Sequence, residues 1–199
     1  TDREQDYQEA VISKFVEYAS VPVISLESAT RHPLQSLADW MSIEEYKKKP
    51  RPKVVLTWAP HPKALPHAVP NSFAEWMDHA EVDLVITHPK GYELDEEFVL
   101  DASVVYDQRE AFEGADFIYA KSWSSYQHYG QILDVADNWI VDSEKMALTD
   151  KARFMHCLPV RRNVVVADEV LNSEQSIVIQ QANNRTFAAQ AVLKAMLEG

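Results

Sequence analysis

Short runs rich in β-branched and aromatic residues alternate with amphipathic segments from one end of the sequence to the other. Such alternation marks strands that leave a sheet through a helix and return parallel to the strand before. The runs Lys53–Trp58, Val82–Thr87, Ser103–Tyr106, Asp116–Ala120, Arg153–His156 and Ser176–Ile179 read as strands, with a shorter one at Val21–Ser25. Helices are expected over about Asp6–Ala19, Pro33–Lys48, Asn71–His79, Asp142–Ala147, Asp168–Leu171 and Arg185–Leu197. The second of these opens on proline, whose fixed φ suits a first helical turn. The expected class is α/β, a parallel sheet with helices on both faces.

Glycine narrows what such a sheet could bind. The 199 residues include four, Gly91, Gly114, Gly130 and Gly199, and no two are close together. A Walker loop or a dinucleotide fingerprint needs several glycines within a few positions, so that the backbone can approach phosphate. Any phosphate must therefore be held by side chains. The formal charge of −12 argues against nucleic acid or an anionic membrane as partner. The one basic run, Lys47 to Lys53, reads as the solvated end of a helix before a loop. A lone cysteine, Cys157, leaves no intramolecular disulfide and suits a reducing compartment, with cytoplasm as the expectation. No apolar stretch approaches the length of a membrane span or a signal h-region.

Ligands of open α/β sheets bind beyond the carboxyl ends of the strands. Those ends carry His61 and its loop, His88, Lys121, and the segment Phe154-Met-His-Cys-Leu-Pro-Val-Arg-Arg-Asn163, where an imidazole, a thiol and two guanidinium groups follow an apolar run. Far upstream, His32-Pro33-Leu34-Gln35 sets an imidazole and an amide three residues apart at a helix start, beside the positive end of the helix dipole. Cys157 invites a nucleophile reading, but His156 is badly placed as its base, because neighbours in an extended segment point to opposite faces. The histidines show no HxH, HExxH or cysteine-pair spacing, and no metal site is expected.

The two segments in this order resemble the HPxQ and HCLP signatures of the aspartate/ornithine carbamoyltransferase family. The resemblance covers the chain from about Asp6 onward and is nearest to the branch that acts on N-acylornithines. It implies a Rossmann-like amino-acid-binding domain and transfer of the carbamoyl group from carbamoyl phosphate to the δ-amine of an N-acylornithine in arginine biosynthesis. N-succinylornithine is favoured over N-acetylornithine. No cofactor is implied, and the full-length form is expected to be a homotrimer. The resemblance assigns His32, Gln35 and Cys157 to catalysis. Carbamoyl phosphate falls to His32, Pro33, Leu34, Gln35, Cys157, Leu158 and Arg185, and the acylornithine to Glu27, His61, Lys121, Leu158 and Arg161. In this reading Cys157 orients the substrates and forms no covalent intermediate.

Lys121 discriminates within the family. Ornithine carbamoyltransferases carry an aspartate after this strand, followed by Ser-Met-Gly, and its carboxylate pairs with the α-ammonium of ornithine. Here the charge is reversed and Ser-Met-Gly is missing. A lysine repels a free α-ammonium and pairs with an α-carboxylate, which suits a substrate whose α-nitrogen is acylated. Trp58-Ala-Pro-His61-Pro also resembles that branch. The family's phosphate-gripping Ser-x-Arg-Thr-Arg run is not found, so the chain is expected to be a fragment with impaired activity. Residues 1–32 would be a remnant of the carbamoyl phosphate-binding domain, 33–184 the ornithine-binding domain, and 185–199 a C-terminal helix packing back toward the first. Three alternatives fit the same residues: a noncatalytic amino-acid-binding or interaction domain, an ordinary ornithine carbamoyltransferase, and a hydrolase using Cys157 with His32 or His61.

Overall fold

The computed structural model describes residues 2–198. In chain order the elements are α1 (Arg3–Tyr7), α2 (Ala10–Tyr18), α3 (Pro33–Tyr46), β1 (Lys53–Trp58), α4 (Ala68–Asp78), β2 (Asp83–Thr87) and α5 (Glu96–Val99). They continue with β3 (Ser103–Val105), α6 (Gln108–Phe112), β4 (Phe117–Lys121), α7 (Ser143–Met146), β5 (Arg153–Met155), α8 (Asp168–Leu171) and α9 (Val178–Glu198). The five strands form one parallel sheet in the order β3-β2-β1-β4-β5. The chain builds outward from β1 through β2 to β3, then returns to lay β4 on the other flank of β1. The seam between β1 and β4 is therefore the topological switch point, where the covering helices part to opposite faces and leave a crevice.

Alternation within β1 shows how the two faces fill. Val54, Leu56 and Trp58 pack against Ile43 of α3 and Val69, Phe73 and Met77 of α4. Val55 points the other way, toward Ala111 and Phe112 of α6, Met146 of α7, Val170 of α8 and Val178 of α9. Phe73 lies flat on Tyr119 of β4, ring centroids 4.4 Å apart. Each such buried side chain stabilises the fold by roughly 1.5–3 kcal/mol. Helices thus cover both faces, as the alternation predicts.

Several boundaries differ from the sequence reading. The helix expected over Asp6–Ala19 is broken at Glu9, which adopts φ 53° between α1 and α2. The Glu9 carboxylate accepts from Ser28 Oγ, the Ala29 and Thr30 N–H groups and the Thr30 hydroxyl. Those four donors repay the interruption by fixing the turn ahead of His32. Val21–Ser25 is not a strand. Ser176–Ile179 is also no strand: Ser176 makes one bridge to Phe154 and α9 begins at Val178. Arg185 accordingly sits in the third turn of α9 rather than at a helix start, and the boundary read at 184/185 falls within a continuous helix. Helices α5 and α6, not anticipated, are each opened by a capping aspartate, Asp95 and Asp107.

The basic run is occupied by surface ion pairs, Lys47 with Glu44, Lys49 with Asp116 and Arg51 with Asp83. Residues 122–138 have no regular structure but are tied down. The Ser124 N–H donates to the Leu65 carbonyl at 2.9 Å, the Leu133 N–H to the Tyr92 hydroxyl at 2.9 Å, and the Tyr129 hydroxyl to Asp6 at 2.9 Å. On α2 the side chains of Val11, Phe15 and Val16 are exposed, as are Leu193, Met196 and Leu197 at the end of α9. No helix among the described residues is long and apolar enough to cross a membrane.

Candidate functional site

Lys121 is the last residue of β4 and stands in register with Trp58, the last of β1. The Ala59 N–H then donates to the Lys121 carbonyl at 3.0 Å, so the chain leaving β1 is still pinned to β4 as it turns toward His61. Lys121 and the His61 loop thus sit together at the switch point. β5 brings the third component. After Met155 the chain reaches His156, Cys157 and Leu158, and Leu158 turns with φ 49° into Pro159. A positive φ at a leucine is uncommon and costs on the order of 1–3 kcal/mol, strain that tends to collect where a loop must hold a set shape.

Arg161 reaches across this edge and donates from Nε to His61 Nε2 at 3.0 Å. A guanidinium only donates, so His61 Nε2 is the acceptor, while Nδ1 lies 3.1 Å from both the carbonyl and the N–H of Lys63. Burial holds the His61 pKa below its usual value, and Arg161 and Lys121 add to the effect. Arg162, next in sequence, pairs instead with Asp168 at 2.7 Å and Asn172 at 3.1 Å. The two neighbouring arginines therefore separate cleanly. Arg161 faces the site, and Arg162 closes a surface turn.

His32 is the N-cap residue of α3, but its side chain caps nothing. Its backbone N–H donates to Ser72 Oγ at 2.7 Å, which fixes the entry to the helix. The imidazole is buried, Nδ1 has no hydrogen-bond partner among the described residues, and Nε2 lies 3.9 Å from Glu27 Oε2. Burial lowers its pKa; Glu27 opposes this and Arg185 and Lys121 reinforce it. Gln35, one turn on, donates from Nε2 to Asp39 Oδ1 at 2.8 Å and leaves its carbonyl oxygen buried without a partner. Two unfilled polar atoms, one from each end of the His-Pro-Leu-Gln segment, are what a ligand carbonyl and amide would complete.

His156 is buried with its pKa pushed down to about 3, first by burial and then by Lys121 and His61. Its Nδ1 accepts from the Leu158 N–H at 3.0 Å, so this ring braces its own turn. Cys157 lies in the core with Trp58, Tyr119 and Met155, and burial raises its thiol pKa. A thiol held protonated, beside an imidazole already engaged, is poorly set up as a nucleophile. Arg185 is exposed on α9, close enough to act on both His32 and Asp39. Electrostatic reach also joins Lys121 to His32, His61, His156 and Cys157.

The predicted residues thus gather at the carboxyl edge of the sheet. His88 does not join them, being buried against Tyr106 and Trp123. Sequence reasoning missed Asp39 and Gln181. Asp39 follows Gln35 by four residues, a spacing that puts both on one helix face, whereas no local pattern points to Gln181. Cavities of about 570 and 360 Å³ lie at the opposite edge, lined by residues such as Arg153 and Glu174 or Asp83 and Ser103. No group of histidine, cysteine and carboxylate side chains among the described residues is placed to hold a metal.

A cationic rim and unfilled carbonyl and amide partners at the switch point of a parallel sheet define an α/β domain built to hold a small polar ligand. Residues 67–196 match the family model for the aspartate/ornithine carbamoyltransferase Asp/Orn binding domain, and the chain belongs to that family. It is 60% identical over 200 residues to the N-succinylornithine carbamoyltransferase of Bacteroides thetaiotaomicron, a match covering all of this chain and 63% of that protein. It is 36% identical to the N-acetylornithine carbamoyltransferase of Xanthomonas campestris pv. campestris, covering 98% of this chain and 64% of the relative. An acetylornithine transcarbamylase solved in complex with acetylcitrulline superposes with a TM-score of 0.87 at 36% identity, over 98% of this chain and 64% of that one. The chain therefore spans a little under two thirds of the relatives it matches.

Proposed function

We propose that the chain provides the amino-acid-binding part and the His32/Gln35 pair of an enzyme that moves the carbamoyl group of carbamoyl phosphate to the δ-amine of an N-acylornithine. N-succinylornithine is the favoured acceptor, in line with the 60% relative, and N-acetylornithine comes next. The observation that carries this reading is Lys121, which ends β4 in register with Trp58 and whose charge acts on His32, His61, His156 and Cys157. A cation there pairs with the α-carboxylate and disfavours a free α-ammonium.

The reaction follows from positioning and charge. Neutral His32 donates one N–H to the carbamoyl oxygen, and Gln35 accepts from the carbamoyl nitrogen. Arg185 steadies carbamoyl phosphate beside Pro33 and Leu34. Glu27, Arg161 and His61 engage the acylornithine, while Cys157 and the Leu158 carbonyl line the point of attack. The unprotonated amine adds to the carbamoyl carbon, His32 supports the oxyanion, and collapse expels phosphate, which takes the amine's proton. Residues 1–32 belong with the phosphate-binding domain and the residues from 33 onward form the amino-acid-binding body, with the continuous helix α9 running on past 184 toward the first domain. A cytoplasmic homotrimer with sites between subunits completes the proposal, in a route to arginine.

Titration of this chain with N-succinylornithine, N-acetylornithine and free ornithine, followed by tryptophan fluorescence, tests the acceptor. Saturation by an acylated form in preference to ornithine is the expected result. Preference for free ornithine overturns the reading of Lys121.

A further inference from the structure

One buried carboxylate connects the two motifs. Asp39 Oδ1 accepts from Gln35 Nε2 at 2.8 Å and from Gln181 Nε2 at 2.6 Å, and Gln181 Oε1 accepts from the His156 backbone N–H at 2.8 Å. Asp39 and Gln181 are fully buried and Gln35 is 1% exposed, so the chain of bonds is closed to water. We propose that Asp39 is a positioning residue which, through this relay, fixes the amide of Gln35 with its nitrogen turned away from substrate and its carbonyl oxygen presented to it. It thereby makes recognition of the transferred group depend on that group's N–H. This rests on the carbamoyl-transfer reading above.

The polarity runs in one direction. A backbone N–H only donates, so Gln181 must offer its oxygen to His156 and its nitrogen to Asp39. Asp39 Oδ1 is then an acceptor, and Gln35 must also offer it nitrogen. What remains of Gln35 is Oε1, buried and without a partner among the described residues. An unfilled buried amide oxygen is costly to leave and selects a ligand that brings a donor. The relay tolerates protonation of Asp39. Burial raises its pKa to about 7, and a proton on Oδ2, the oxygen without a partner, leaves Oδ1 an acceptor in either form. Tyr119, Cys157 and Arg185 are the other groups that face this carboxyl. The relay also links α3, α9 and the His156–Leu158 turn, so one side chain aligns segments far apart in sequence.

Two measurements test this. In ¹⁵N spectra of the 199-residue chain, the Gln35 and Gln181 side-chain NH₂ signals should exchange slowly with solvent. Asp39→Asn, which keeps an acceptor at Oδ1, should preserve that protection, and Asp39→Ala should abolish it. In the complete protein containing this chain, acetyl phosphate, whose methyl replaces the carbamoyl NH₂, is compared with carbamoyl phosphate as ligand. Preference for carbamoyl phosphate should be about 100-fold or more and should fall about tenfold or further in Asp39→Ala, with the KM for acylornithine little changed. Gln181→Met, which cuts the relay one step away, should shift the preference the same way and stands in if Asp39→Ala does not fold. Fast exchange of the Gln35 amide in the parent chain, or unaltered discrimination in both variants, overturns the proposal. Failure of the complete parent protein to turn over carbamoyl phosphate would instead sink the reading of function, and the exchange result would still report on Gln35.

Discussion

Arg161 Nε and His61 Nε2 lie 3.0 Å apart although 100 residues separate them in sequence, and the bond spans the crevice between the loop after β1 and the turn after β5. Arg162, one position on, bonds outside that crevice. Arg161→Ala should weaken N-succinylornithine binding by about 10–100-fold, and Arg161→Lys should recover only part of it, because lysine lacks the planar Nε–H. Arg162→Ala should change binding by no more than about twofold. Isothermal titration of the three variants decides it, and equal losses at both arginines would refute the assignment.

Lys121→Asp should reverse the preference between acylated and free ornithine. Exchanging cation for anion at the end of β4 replaces attraction for an α-carboxylate by repulsion, a penalty of about tenfold or more in affinity, and creates a partner for an α-ammonium. Competition binding in one mixture of both ligands reads the ratio directly. An unchanged ratio would place the α-carbon elsewhere.

Cys157→Ser should keep turnover within about tenfold in the complete protein, since a serine hydroxyl preserves the lining without a thiolate. Alkylation of Cys157 by iodoacetamide at pH 7 should be slow in the folded chain and fast in urea, because burial both shields the thiol and raises its pKa. A dead serine variant together with rapid labelling would revive the hydrolase reading.

Two buried groups should give stability opposing slopes with pH. Asp39 is raised to about 7, so the folded state binds its proton more tightly; its contribution is complete below the ordinary carboxylate range and is lost as pH climbs toward 7. His156 is depressed to about 3, so its contribution is complete above the ordinary imidazole range and is lost as pH falls toward 3. Each amounts to a few kcal/mol. Asp39→Asn removes the first term alone, so its stability relative to the parent should rise between pH 5 and pH 8. Urea unfolding at those two values measures the difference, and a constant difference would mean that Asp39 ionises normally.

The sequence makes the sheet and the motifs legible because both are local. Alternation along β1 and β4 needs only neighbouring residues, and His-Pro-Leu-Gln and His-Cys-Leu-Pro are contiguous. Reading fails where tertiary context decides. Val21–Ser25 has strand composition but forms no strand, and Ser176-Ile-Val-Ile179 is as apolar as a strand, yet its pairing with β5 is confined to one bridge at Phe154, flanked by the Gln175 carbonyl and the Ile177 N–H, before the chain coils. Glu9 interrupts a good helical pattern because its carboxylate serves a loop some 20 residues away. Gln181 is invisible locally, since its partners are Asp39, 142 positions earlier, and the His156 N–H, 25 positions earlier.

Trp58 and Lys121, the register pair at the mouth of the crevice, end β1 and β4, two of the three inner strands of the sheet. Val54, Val55 and Leu56 behind Trp58 are wholly buried. Backbone of that kind opens last, so its amides should exchange only by near-global unfolding, while the His61 loop and residues 122–138 exchange through cheaper local excursions. Lys121, the cation proposed to meet the ligand, is thus anchored at the end of a strand whose body lies in the slowest-breathing part of the molecule, beside segments that open more readily.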